Sequence, residues 1–159
     1  MNKQYDMSDM DKLISKIDHI ISESVDKVAD HIINKAKRSF KTKSFEQKAW
    51  ETTLFKSDSK GTLANSLRKN KIGVSTVQIT SDLPYGNIQN YGGKIRITDK
   101  MRKFFWAKFY DTKNNKWKGL ALTKKTHIVI PERTFLADTP QLQLEINAII
   151  VNEFKKINK

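Results

Sequence analysis

LPYGNIQNYGGKI, residues 83–95, holds two tyrosines, three glycines and one lysine in thirteen positions. Whether the chain wraps a phosphate here or only turns from one element to the next decides both the fold and the class of function. A phosphate loop needs G-x-x-x-x-G-K-[ST], because the four spacer residues let backbone N–H groups surround the phosphates. Counting back from Gly93 and Lys94, the first glycine belongs at position 88, which is isoleucine, and the hydroxyl required after the lysine is replaced by Ile95. The dinucleotide pattern G-x-G-x-x-G fails as well, since Gly86, Gly92 and Gly93 are wrongly spaced. The better reading is structural. Pro84 starts a short helical turn, PYGNIQNY, and Asn90-Tyr91-Gly92-Gly93 breaks it, because glycine tolerates positive φ. Ile95 begins the next strand. Pro84, Gly86, Gly92 and Gly93 are therefore residues of a turn, and Lys94 is solvated or at an interface. Tyr85, Ile88 and Tyr91 stand three apart and point to one side.

The flanking sequence supplies the elements that this turn connects. Upstream, residues 8–40 repeat apolar positions in steps of three and four, from Met10, Leu13, Ile14 and Ile17 to Ile33 and Ala36, which marks one helical face. Ser8 is the expected N-cap, with Asp9 and Asp11 in the first turn, where the helix dipole favours them. A helix of about 30 residues runs roughly 45 Å, longer than a domain of this size needs, so part of it projects or packs on a neighbouring subunit. Residues 41–65 read as polar and irregular, anchored by Trp50, Leu54 and Phe55, with SDSKG as a loop. LRKNKIGVSTVQITSD reads as two short strands around a turn near Gly73, with Val77 and Ile79 alternating against Gln78 and Thr80.

Downstream, Ile95 and Ile97 alternate as a strand, and Thr98 caps a helix carrying Met101, Phe104, Phe105 and Phe109. DTKNNKWKG follows as a lysine-rich loop, and residues 128–130 form a strand ended by Pro131. Thr139 as cap and Pro140 at the first helical position open a last helix, with Leu142, Ile146, Ile149, Ile150, Phe154 and Ile157 on its core face. The whole is α+β: a small antiparallel sheet with a long N-terminal helix, a middle helix and a C-terminal helix packed on it, in a single domain of residues 1–159.

The chain has 159 residues, a formal net charge of +13, 30% charged and 38% hydrophobic residues. Such an excess of positive charge favours nucleic acid, an anionic membrane or an acidic protein as partner, or else the lysines only solvate the surface. Residues 98–125 concentrate it: Lys100, Arg102, Lys103, Lys108, Lys113, Lys116, Lys118, Lys124 and Lys125 stand against Asp99 and Asp111, nine against two for a net +7. Lys113, Lys116, Lys118, Lys124 and Lys125 are the candidate assembly or DNA-facing residues. The aromatics of FFWAKFY suit base stacking, although an aromatic stripe at helical spacing more commonly lies in a core or subunit interface. With no cysteine there is no disulfide or thiolate chemistry. No apolar run approaches the roughly 20 residues of a membrane span, and the N-terminus lacks the apolar core of a signal peptide. His19 and His31 lie about a third of a turn off a shared helical face, and His127 is remote from both. No nucleophile, metal or paired-acid arrangement is readable, and Glu132 beside Arg133 reads as a surface or interface pair. No catalytic residue, metal or cofactor is expected.

Several segments in order resemble the tail-completion family of phage virion morphogenesis proteins. Phe45 and AWETTL resemble the family's aromatic and W-x-x-L pattern after the first helix. GTLANSLRKNKI resembles the lead into its first strand, SDLPYGNIQNYGGKI its PYA-x-I-H-x-[FY]-GG-x-I motif, and IVIPERTFLADTP its IPARPFLG. Each motif alone is weak, and their order and spacing carry the specificity, from about residue 30 onward. Gly86 replaces the usual alanine, Gln89 a common histidine and Thr134 a common proline, and the segment from Lys100 to Thr126, which holds most of the basic insertion at 98–125, is longer than in compact members. The resemblance implies a non-enzymatic α+β subunit arranged as a homo-oligomeric ring at the head–tail junction or tail end. Its partners would be phage tail or neck proteins, its location the virion, and the host cytoplasm during assembly. In such a ring the lysine-rich segment suits a channel through which DNA passes, with non-specific DNA contact. A basic nucleic-acid-binding module outside any virion is the alternative.

Overall fold

The computed structural model describes residues 7–51 and 62–158; Leu54, Phe55 and the SDSKG loop lie outside them, as does the side chain of Ile157. In chain order the elements are α1 (Met7–Thr42), β1 (Ser44–Phe45), β2 (Lys48–Ala49), α2 (Thr62–Ser66), β3 (Leu67–Lys71), β4 (Val77–Ser81), α3 (Gly86–Tyr91), β5 (Gly93–Arg96), α4 (Asp99–Thr112), α5 (Asn115–Leu122), β6 (His127–Ile130) and α6 (Pro140–Phe154), which runs on into a 3-10 turn, Lys155–Asn158. The chain is α+β. Among the described residues its strands pair antiparallel as three separate two-stranded ribbons, β1–β2, β3–β4 and β5–β6, in place of the one small sheet expected. They divide between two compact units.

The first unit contains α1, α2, the β3–β4 ribbon and α6. Burial on α1 begins at Ile20 and continues through Ser24, Ala29, Ile33, Ala36 and Ser39. Small residues dominate this list, and Ala29 and Ala36 have no exposed surface at all; their short side chains let neighbouring elements approach closely. The two buried serines are satisfied within the helix, Ser24 Oγ donating to the Ile20 carbonyl at 2.7 Å and Ser39 Oγ to that of Lys35 at 3.1 Å. β3 and β4 pair from Leu67 opposite Ser81 to Lys71 opposite Val77. The ribbon is tied to α1 by Lys69, 2.9 Å from Asp30, and by Lys71, which bonds Ser22.

α6 lies antiparallel to α1. Glu145, near its start, meets His31 at 2.7 Å and Lys35 at 3.1 Å, while Glu153, near its end, meets Lys27 at 2.5 Å. The Phe40 and Phe135 rings close the same unit at 4.8 Å between centroids. The expected caps are present: the Thr139 hydroxyl accepts from the Leu142 N–H, and Pro140 stands in the first turn. The expected core face of α6 is only part-covered. Leu142 is buried, whereas Ile146, Ile149 and Ile150 are half-buried and Phe154 is 38% exposed. Leu144 and Val151 are also exposed, so apolar residues surround this helix rather than keeping to one side.

The second unit contains β1–β2, α3, the β5–β6 ribbon and an α4–α5 helical hairpin. Ile97, Phe105 and Ala121 form its buried centre, with Met101, Trp106, Trp117, Leu120 and Ile128 packed around them. β5 and β6 pair from Gly93 opposite Ile130 to Arg96 opposite His127.

Three local expectations are corrected. Ser8 is not a cap but lies inside α1, which already includes Met7. Residues 41–65 are not wholly irregular: β1–β2 closes through left-handed Glu46 and Gln47 (φ 43° and 70°), and α2 buries Leu63 and Ala64. DTKNNKWKG is not a loop. α4 continues to Thr112, only Lys113 and Asn114 turn the chain, and α5 begins at Asn115.

Candidate functional site

The stretch at 83–95 forms a helix-to-strand turn. Pro84 is exposed just ahead of α3, Gly86 is the buried first residue of that helix, and Gly92 follows its last turn. Gly92 has φ 68° and ψ −176°, a region that is essentially closed to side chains. A Cβ there would stand 2.8 Å from the Glu132 nitrogen and 3.0 Å from the Ile130 carbonyl oxygen. Backbone therefore passes directly against backbone, and only glycine allows it. At Gly93 a Cβ would meet the Ile88 side chain at 3.2 Å, a softer neighbour. Lys94, Tyr85 and Tyr91 are exposed, Tyr91 at 72%.

What holds this turn in place is the segment after β6. The Arg133 N–H donates to the Gln89 carbonyl at 2.9 Å, and Arg133 Nη1 donates to Gln89 Oε1 at 3.0 Å. The indole N–H of Trp50 donates to the Thr134 carbonyl at 3.0 Å. Gln89 thus contributes both its carbonyl and its side chain, whereas Thr134 accepts from Trp50 through its backbone carbonyl. Burial pushes the Arg133 guanidinium below its ordinary pKa, and the negative charge of Glu51 opposes that shift.

The basic segment is a helical hairpin. Thr98 caps α4 by accepting from the Met101 N–H. Lys113 ends that helix in the left-handed region at φ 54°, its N–H bonding the Phe109 carbonyl at 2.8 Å. Asn114 caps α5 by accepting from the Lys116 N–H at 3.0 Å. The far end of α5 is closed by Arg102, whose guanidinium donates to the carbonyls of Ala121 at 3.1 Å, Thr123 at 2.7 Å and Lys125 at 3.4 Å. Arg102 is therefore a half-buried group that closes a helix end. Lys113 Nζ sits over the Tyr110 ring at 5.8 Å and Lys118 Nζ over the Phe109 ring at 5.7 Å; the two rings are 5.6 Å apart, and Trp106 is 6.0 Å from each. Lys113 and Lys118 are thus brought to one aromatic patch. Lys116, Lys124 and Lys125 are exposed, the first in α5 and the other two beyond its end.

Two groups escaped the sequence reading. The carboxylates Glu145 and Glu153 join α6 to α1. The His31 hydrogen bond first, then those of Gln141 and Lys35, holds Glu145 well below the usual carboxylate range, at about 2. Lys156 first and Lys27 second lower Glu153, while Lys27 is raised in return, chiefly by its hydrogen bond to Glu153. These are neutralised structural pairs. α5 was readable in principle, since Trp117, Leu120 and Ala121 recur at helical steps behind a capping Asn114, but four lysines and asparagines in a row mask that periodicity.

The third feature is the exposed start of α1. No residue before Ile20 is buried among those described, and Met7, Met10, Leu13 and Ile14 are exposed at 78%, 52%, 48% and 54%. Among the described residues no group of three or more His, Asp or Glu side chains is gathered to hold a metal, and no helix is long and apolar enough to cross a membrane. The chain matches no family model, no curated protein and no solved structure.

Proposed function

We propose that this chain is a non-enzymatic structural subunit that associates with copies of itself, as a ring, to complete the tail or head–tail junction of a bacteriophage or prophage virion. The observation that carries the assembly role is the uncovered apolar stripe Met7, Met10, Leu13 and Ile14 on the first turns of α1. Exposing four large apolar side chains together on one helix is costly unless a partner covers them. The flanks of the stripe carry Asp9, Asp11 and Asp18 against Lys12 and Lys16, close to neutral in a chain of net charge +13. A second copy therefore meets little repulsion there, unlike over most of the surface. No large side chain of the described residues is completely buried, which fits a subunit whose core is completed by association. The order of motifs from Phe45 to Pro140 supplies the virion context, with tail or neck proteins as further partners and the host cytoplasm as the place of assembly.

Size-exclusion chromatography with light scattering tests the reading. The intact chain is expected to form a closed oligomer, and Leu13→Asp/Ile14→Asp to run as a folded monomer with an unchanged circular-dichroism melt. A monomeric intact chain at every attainable concentration would reject it. Excess nucleoside triphosphate is expected to leave the melting temperature unmoved, because any ligand of the native state must raise it; a saturable shift would reopen a phosphate-using enzyme.

A further inference from the structure

We propose that the α4–α5 hairpin carries a sequence-independent binding face for the phosphodiester backbone of nucleic acid, centred on Lys113 and Lys118 and continued along α4 by Lys103 and Lys100. With Arg102 turned onto carbonyls, eight lysines in residues 98–125 stand against two acids, and one of the acids, Asp111, is engaged by Lys108 at 3.5 Å. Lys100, Lys103, Ala107 and Tyr110 follow one another in steps of three, four and three, which puts them on one face of α4, and all four are exposed. At the end of that row Lys113 bends back over Tyr110, and Lys118 reaches Phe109 from α5.

Two ammonium groups are therefore held on touching rings by a hairpin fixed at its tip by Lys113 and Asn114 and at its base by Arg102. Part of the rotamer entropy that a phosphate contact costs is already lost, and the like charges gathered there gain from any dense polyanion. The face offers point charges and no guanidinium fork. That suits the repeating single charges of a polynucleotide better than the planar carboxylates of an acidic protein, which favour arginine. Tyr110, 64% exposed, and Phe104, 50% exposed, lie beside the lysines where sugars or unstacked bases can contact them.

The test is fluorescence anisotropy of the full chain with a labelled duplex and a single strand of arbitrary sequence, titrated with salt, and with polyglutamate as competitor. Binding is expected to weaken linearly in log salt with a slope of about −3 or steeper, the signature of roughly four phosphate contacts. Lys113→Gln/Lys118→Gln should make the slope shallower by about 2, near 1 for each lysine, and Lys113→Arg/Lys118→Arg should restore it. Lys37→Gln/Lys41→Gln, exposed on α1, should change nothing. The ratio of the two arms tells whether duplex or single strand is the ligand. Absence of salt-dependent binding, equal loss in the α1 control, or displacement by polyglutamate at equal charge concentration would each overturn the proposal, the last in favour of an acidic protein.

Discussion

At Gly92 a backbone angle and a close approach coincide. Its conformation is costly for any other residue, and the backbone of Glu132 leaves no room for a methyl group. Gly92→Ala is expected to lower the unfolding free energy by on the order of 1–3 kcal/mol from backbone strain, before the 2.8 Å clash is relieved. Gly93→Ala should cost less, because the Ile88 side chain can shift. Urea denaturation of both variants checks this, and equal small losses would contradict the turn geometry. A different kind of residue-scale effect is expected at Glu145. Its folded pKa of about 2 lies below the ordinary carboxylate value near 4.3. The stabilisation is therefore complete above that ordinary value and is lost as pH falls from about 5 towards 2. Glu145→Gln should flatten that part of the stability profile, with the two proteins converging near pH 2. Parallel profiles would show that the carboxylate contributes nothing through its charge.

At the scale of elements, the helical hairpin depends on groups whose roles differ although their charges match. Arg102→Met removes the donor to three carbonyls and is expected to destabilise by about 1–3 kcal/mol. Lys103→Met, one residue along and exposed, should stay within about 0.5 kcal/mol; differential scanning calorimetry separates them. The sequence shows nothing that distinguishes these two neighbours. It did reveal the elements whose ends are chemically marked: α4 by Thr98, α6 by Thr139 and Pro140, the end of α3 by Gly92, and β4 by its alternation. It hid those whose signals are short or overwritten. The β1–β2 ribbon has two residues a side, too few for a period, and α5 is disguised by lysines. Glu145 and Glu153 were illegible because an ion pair depends on which helices meet, and their partners lie 114 and 126 positions away. Of the candidate site, the helix break at Gly92 was legible, but β5 begins at Gly93 rather than at Ile95 and the close approach of the Glu132 backbone to Gly92 was not foreseen, while the cation–aromatic patch emerges only once α5 folds Lys118 back towards Phe109.

For the molecule as a whole, the start of α1 is expected to be dispensable for folding and needed for association. Deleting residues 1–15 should give a subunit with an intact thermal transition and a reduced mass in light scattering. An unfolded product would show that those turns belong to the fold of the single chain. The pairing of α1 with α6 also bears on synthesis. Lys27, His31 and Lys35 find their carboxylates only after more than a hundred further residues have been made. At about 5–20 residues per second, that is a delay on the order of ten seconds, during which α1 has no α6 to cover it. Chains on neighbouring ribosomes of one message would carry the same uncovered helix, so the first encounter between copies can precede the completion of either.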